Sequence, residues 1–247
     1  MDKYIYISAV SAQSTMQRQE AIANNIANVN TPGFRSQIAA FQVAPVASKE
    51  GLSTRAYAVE TTIGFDGQSG SLQQSDRPLD FAIDGKGWFA VQGAQGEEGY
   101  TRNGHFHINA QGILTTSEGF PVIGEDGEIA IPDGFQYEVQ RNGVIVGFQP
   151  GVTPRDDQEL GRLKLVSPED ADLTRSDDGL FRLKNGGVAD LDEGVAVVNG
   201  FLEGSNVNSA KAIVEMISAQ REFEAHLKMI SMAEENAKSA NGLLSSN

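Results

Sequence analysis

The residue types that most often carry chemistry are sparse in this chain, and their spacing decides against most of it. His105 and His107 stand two apart. On a strand that spacing puts both imidazoles on one face and could begin a zinc site, with Glu118 across a hairpin as the nearest third ligand. Two histidines beside a turn fit solvent-facing strand residues better. Asp80 and Asp84 bracket Phe81-Ala82-Ile83. As a carboxylate pair they would suit acid–base work, but they read more simply as the polar ends of a strand. Gly85-Lys86-Gly87 lacks the third glycine of a dinucleotide fingerprint, and the apolar run Trp88-Phe89-Ala90-Val91 follows where that fingerprint needs a helix. Gly67-Gln68-Ser69-Gly70 is one residue short of a nucleophile elbow. A nucleophile would also need a base, and the third histidine, His226, falls in a helical pattern near the C-terminus. No catalytic set, metal site or cofactor site emerges, so the chain reads as something other than an enzyme.

The elements that would have to position such residues have a different logic. From Tyr4 to Asn28, positions 5, 9, 12, 16, 19, 23 and 26 step by four and three, and six of the seven are apolar or small: Ile5, Ala9, Ala12, Met16, Ala23 and Ile26, with Gln19 the exception. The spacing predicts a helix that stops at Asn28-Val29-Asn30-Thr31-Pro32-Gly33, where proline cannot continue it. The C-terminal end mirrors this. Asn206, Asn208 or Ser209 can cap a helix, and Met216, Gln220, Phe223, Leu227 and Ile230 then form a seam continued by Ala233, Ala237, Ala240 and Leu244. Alanine contributes little by burial compared with leucine, so these seams suit close approach of several helices more than one strong pair. An ordinary antiparallel helix pair remains the alternative.

Between the ends the period shortens. Gly104, Gly112, Gly119, Gly127, Gly134 and Gly143 recur every seven to nine residues, mostly after Asn103, Gln111, Glu118, Asp126, Asp133 and Asn142. Asn-Gly and Asp-Gly favour hairpins whose two central residues have positive φ. The pieces between alternate, as in His105-Phe106-His107-Ile108, Arg162-Leu163-Lys164-Leu165 and Phe181-Arg182-Leu183-Lys184. The fold class expected is therefore mainly β with helical termini. A glycine-turn-rich β domain of barrel or sandwich type is inserted between N- and C-terminal helices. The boundaries expected are 1–35 for the N-terminal helix and turn, 36–78 for an extended connector, 79–204 for the β domain and 205–247 for the C-terminal helix.

Charge follows the same division. The net −14 over 247 residues lies wholly in the middle, where residues 36–204 hold 12 basic against 26 acidic side chains, while both ends are within one charge of neutral. An acidic middle disfavours nucleic acid, and near-neutral ends lose little to repulsion if copies pack there. There is no cysteine, which excludes disulfides and thiolate metal sites. Met1-Asp2-Lys3-Tyr4-Ile5-Tyr6-Ile7 is no cleavable secretion signal, and no apolar run reaches membrane-spanning length. Export, if it occurs, keeps the N-terminus.

Three blocks in order resemble the flagellar axial family of rod and hook proteins. The first runs from Ala23 through Asn24-Asn25-Ile26-Ala27-Asn28 to Thr31-Pro32-Gly33-Phe34-Arg35. The second runs from Leu79 through Gly87-Trp88-Phe89, Tyr100-Thr101-Arg102-Asn103-Gly104 and Gly112-Ile113-Leu114 to Gly119–Gly124. The third is Ser205-Asn206-Val207-Asn208 with Ala212-Ile213-Val214-Glu215-Met216-Ile217, Gln220-Arg221 and Phe223-Glu224. Together they cover about half the chain. The resemblance implies a structural subunit of the periplasmic basal-body rod, closest to a proximal-rod subunit, with a distal-rod subunit as the alternative. It also implies that the N- and C-terminal helices pair as a coiled coil to form the inner wall of a hollow tube, that the β domain faces outward, and that export uses the flagellar type III pathway. Partners would be further copies, other rod proteins and the export apparatus, with no nucleic acid, membrane insertion or small-molecule substrate. Expected interface residues are Ile5, Met16, Asn24, Asn25, Ile26, Asn28, Asn30, Pro32, Gly33, Phe34, Asn206, Asn208, Met216, Phe223, Leu227 and Ile230. The rival class is a periplasmic β-domain binding module that its helices merely oligomerise. An aromatic groove would favour it, but the single Trp88 stands in an apolar strand. A metal hydrolase at His105 and His107 is a third class.

Overall fold

The computed structural model describes residues 2–45, 56–132, 134–151 and 156–245. The chain is mainly β, with one helix at each end, and the two helices pack together. It divides into two compact units. One holds residues 1–29, 36–66 and 207–247; the other holds residues 30–35 and 67–206.

In the first unit, helix α1 (Asp2–Ala27) and helix α2 (Ser209–Ser245) run antiparallel, because Arg18 pairs with Glu222 while Gln19 meets Gln220. Asn208 caps α2: its Oδ1 accepts the Lys211 N–H at 3.0 Å and its carbonyl the Ala212 N–H at 2.9 Å. The centre of the contact is a small cluster of Ile22, Ala212 and Ala219, with Ile26, Val207 and Met216 against it. Within the stretch expected as an extended connector, strands Gln37–Pro45 and Ala56–Phe65 pair as an antiparallel hairpin. Asn25 clasps its first residue twice. The Asn25 Nδ2 donates to the Gln37 carbonyl at 2.9 Å, and the Gln37 N–H donates to Asn25 Oδ1 at 2.7 Å.

The second unit is built of short antiparallel strands. The largest sheet has five, in the order Leu165–Val166, Trp88–Gln92, Glu98–Thr101, Phe181–Leu183 and Leu173–Arg175. A three-stranded sheet follows, of Gln136–Val139, Val144–Phe148 and Gln158–Arg162, and two-strand pairs complete the unit. Among the described residues no sheet closes on itself into a barrel. The core contains Phe81, Phe89, Phe106, Leu114, Ile145 and Leu163, all essentially inaccessible to solvent. Phe106 meets Phe89 edge-on, with ring centres 5.2 Å apart, a favoured geometry for aromatic pairs. Trp88-Phe89-Ala90-Val91 is buried on both faces because it lies inside the five-stranded sheet. Phe89 and Val91 join the core, while Trp88 on the other face packs against Phe181, with ring centres 4.6 Å apart and planes tilted by 48°.

The turn chemistry departs from expectation in one respect. Gly112, Gly119, Gly127, Gly134 and Gly143 do have positive φ, but among the described residues no other residue type does. Gln111, Glu118, Asp126 and Asn142, which precede four of these glycines, therefore keep ordinary geometry. In the turns closed at Gly112, Gly119 and Gly143 the glycine N–H returns to the carbonyl three residues back, at 2.9–3.0 Å. The glycine thus follows the turn instead of sharing its centre. Asp133 lies outside the described residues. Gly104 is the exception in the other direction: its φ is not positive. A Cβ there would sit 1.8 Å from the Phe81 carbonyl oxygen, so the site demands glycine for close approach of two backbones.

Candidate functional site

The residues that could have done chemistry are each occupied otherwise. His105 and His107 do not converge on Glu118. The His105 Nδ1 lies 2.8 Å from Oδ1 of buried Asp80, and its Nε2 lies 2.8 Å from Arg77 Nη1. His107 Nε2 meets the Thr115 hydroxyl at 3.2 Å across the hairpin, whereas Glu118 accepts hydrogen bonds from Asn103 and Ser117. Among the described residues no three His, Asp or Glu side chains gather as a metal set. Asp80 is buried and takes a hydrogen bond from Ser75, while Asp84 is exposed beside Arg141. They are not a pair.

The feature that commands attention is where the chain enters and leaves the β unit. Residues 30–35 and 67–206 belong to it, so their ends are the points of entry and exit. Those ends are tied together in one buried knot. Gly33, with φ of +69°, lies so close to the Arg102–Asn103 peptide that a Cβ would come within 2.3 Å of it, and its N–H donates to the Glu203 carbonyl at 2.7 Å. Phe34 is buried under the Arg175 guanidinium, 4.5 Å from its ring centre, and its carbonyl accepts the Asn206 N–H at 3.3 Å. Arg35, Arg102 and Glu203 are each 2% exposed or less. Arg35 Nη1 reaches Glu203 Oε1 at 2.6 Å, and Arg102 Nε reaches Oε2 at 2.8 Å.

Main-chain groups complete the knot. The Gln68 carbonyl accepts from Arg35 at 2.6 Å and from the Asn206 amide at 2.9 Å. Arg102 donates to the carbonyls of Gly87 at 2.7 Å and Gly85 at 2.6 Å, and to the Ser69 hydroxyl at 3.1 Å. The Gly70 N–H donates to Glu203 Oε1 at 2.9 Å. Burial pushes the Arg102 guanidinium down to about 10, against the pull of Glu203 and with the help of Arg35. It is still a cation at neutral pH. Such a cluster is costly to desolvate and weak evidence of net stability; what it fixes is geometry.

The interface residues expected from sequence divide between these places. Gly33, Phe34 and Asn206 belong to the knot, with Pro32 half-buried and Asn30 exposed beside it in sequence. Asn25 holds the hairpin, Asn28 caps back onto the exposed Asn24 at 2.9 Å, and Asn208 caps α2. Ile26 and Met216 pack in the helix pair, while Ile5, Phe223 and Ile230 are half-buried. Met16 (52% exposed) and Leu227 (48%) face outward, as do Tyr6, Ile213, Val214, Ile217 and Met232. Arg35, Arg102 and Glu203 were not singled out by sequence. Arg35 and Arg102 end or sit within recognisable blocks, but nothing local marks Glu203 as their partner.

Comparison with known proteins bears on what this arrangement serves. Residues 4–35 match the family model for the flagella basal body rod protein, 82–147 that for the flagellar hook protein FlgE/F/G D1 domain, and 198–243 that for the flagellar basal body rod FlgEFG protein C-terminal. The chain is 42% identical to flagellar basal-body rod protein FlgF of Salmonella typhimurium and 43% identical to that of Escherichia coli, covering 99% of both chains in each case. It is 31% identical to flagellar basal-body rod protein FlgG of Agrobacterium fabrum, over 94% of this chain and 95% of that one. Full-length likeness at this level, with both helical ends and the β segment matched in order, shows that the chain belongs to the flagellar basal-body rod protein family.

Proposed function

We propose that the chain polymerises through α1 and α2, with other copies and other rod proteins, into the proximal rod, a hollow shaft that carries torque across the periplasm. One observation carries this reading. The helix pair leaves Tyr6, Met16, Ile213, Val214, Ile217, Leu227 and Met232 on the surface, each about half exposed or more, on the segments that carry almost no net charge. Exposed large apolar side chains in such number mark a surface that packs against something, and neutral ends let copies crowd together. In the assembled tube the same helices pair as a coiled coil. Passage through the flagellar type III export apparatus belongs to this reading and rests on the family alone. No part of it requires catalysis.

The test uses side chains that the monomer does not need. Replacing Ile213, Ile217 and Leu227 together with serine removes apolar surface without opening a core cavity. The purified variant is expected to keep the helicity and melting temperature of the parent, while cells carrying it build no rod and do not swim. A variant that swims like the parent would overturn the reading and favour the binding-module alternative, in which these helices only oligomerise a β domain.

A further inference from the structure

The three buried charges in the knot are not equivalent. Among the described residues, each acceptor that Arg35 serves, the Gln68 carbonyl, Glu203 Oε1 and, at 3.5 Å, the Ser69 hydroxyl, has a second donor. Glu203 Oε1 keeps the Gly70 N–H, the Gln68 carbonyl keeps the Asn206 amide, and the Ser69 hydroxyl keeps Arg102. Glu203 Oε2 is held by Arg102 alone among the bonds described. Arg102, by contrast, bonds the carbonyls of Gly85 and Gly87 as well. Removing Arg102 leaves buried acceptors without it and Glu203 with one cation fewer, which is the expensive way to break a buried network. Removing Arg35 leaves a one-to-one Arg102–Glu203 pair.

We infer that Arg35 is a positioning residue for assembly: it fixes the stretch Gly33-Phe34-Arg35, by which the chain passes through the β unit, while contributing little to the stability of the unit itself. Arg102 and Glu203 are the platform it docks on. This rests on the rod reading only for its consequence in cells; the docking itself is a property of the isolated protein.

The experiment compares full-length Arg35→Met, Arg35→Lys and Arg102→Met. Methionine keeps much of the aliphatic stem of Arg35 and drops the charge. For Arg35→Met the main melting transition is expected to stay within about 2 °C of the parent, and chymotrypsin cleavage after Phe34, buried in the parent, to accelerate at least tenfold. Arg35→Lys, which keeps the charge but lacks the planar fork of donors, is expected to recover part of the protection. Arg102→Met is expected to lower the melting temperature by several degrees, a loss readily measured in a domain of this size. A several-degree loss in Arg35→Met would make it an ordinary stability residue, and unchanged cleavage would show that Gly33 and Phe34 hold the segment without it. Either result overturns the inference. In cells, Arg35→Met is expected to abolish swimming. Swimming retained despite rapid cleavage would overturn the positioning role in assembly, whereas the helix-face serine variant tests the rod reading separately.

Discussion

At the scale of single residues, two glycines that look alike in sequence do different work, and substitution separates them. Gly104 excludes any side chain because the Phe81 carbonyl occupies the space of its Cβ. Gly186 has φ of +71° and nothing within 4 Å. Alanine at Gly104 is expected to cost about 1–3 kcal/mol from overpacking, with asparagine no better. At Gly186 alanine costs about 1 kcal/mol in left-handed strain, and asparagine, which tolerates that geometry, restores most of it. Equal rescue by asparagine at both sites in thermal melts would show that Gly104 is a conformational site after all. A second residue-scale expectation concerns Tyr100, whose hydroxyl accepts the Ala189 N–H at 2.7 Å and whose ionisation burial pushes up to about 12. The unfolded chain releases that proton near pH 10, so the unfolded state binds fewer protons there and stability falls as pH rises from 10 to 12. Tyr100→Phe is expected to cost roughly 1–2 kcal/mol at pH 7 through the unpaired amide, yet to flatten this alkaline loss in urea titrations.

At the scale of elements, the helices were legible because a period of three and four survives in any amphipathic segment. Their orientation was legible only in part. α2 buries Ala212 and Ala219 and half-buries Met216, Phe223, His226, Ile230, Ala233 and Ala237, a row close to the one its apolar residues trace. α1 buries Ser8, Ala12, Thr15 and Ile22, one residue out of step with Ala9, Met16 and Ala23. Two physical reasons account for the offset. Small hydroxyls can be buried by bonding their own helix, as Thr15 does to the Ser11 carbonyl at 2.9 Å. And α1 has a second neighbour, the hairpin clasped by Asn25, that no periodicity announces. The knot was illegible for a further reason: its partners are far apart in sequence, and charge pairing at that distance has no local signature. The cap, by contrast, could be read directly. Asn208→Ala is expected to cost about 1 kcal/mol, seen as loss of α2 helicity by circular dichroism; no change would mean the helix is held by packing alone.

At the scale of the whole molecule, charge and contact surface are segregated. The acidic excess sits in residues 36–204, while the helical ends that carry the exposed apolar side chains are nearly neutral. Copies brought side by side through their ends must bring their acidic portions closer as well. Screening acts over about 10 Å at 0.1 M salt, so assembly is expected to strengthen as ionic strength rises from roughly 0.05 to 0.3 M. Sedimentation of purified protein at several salt concentrations measures this. Weaker assembly at higher salt would mean that complementary ion pairs between copies outweigh the general repulsion.

The Arg35–Glu203 pair spans 168 residues of chain, and that separation has a consequence in time. Bringing such distant points together carries a loop-closure cost of roughly 4–5 kcal/mol in chain entropy, so the knot is disfavoured until most of the apolar core already holds the intervening strands. A chain emerging from the ribosome has made Arg35 long before Glu203 exists. Through nearly all of its synthesis the N-terminal segment therefore has no dock, and the β unit is completed by almost its last residue. Whatever meets the first thirty-five residues during that interval meets them unclaimed.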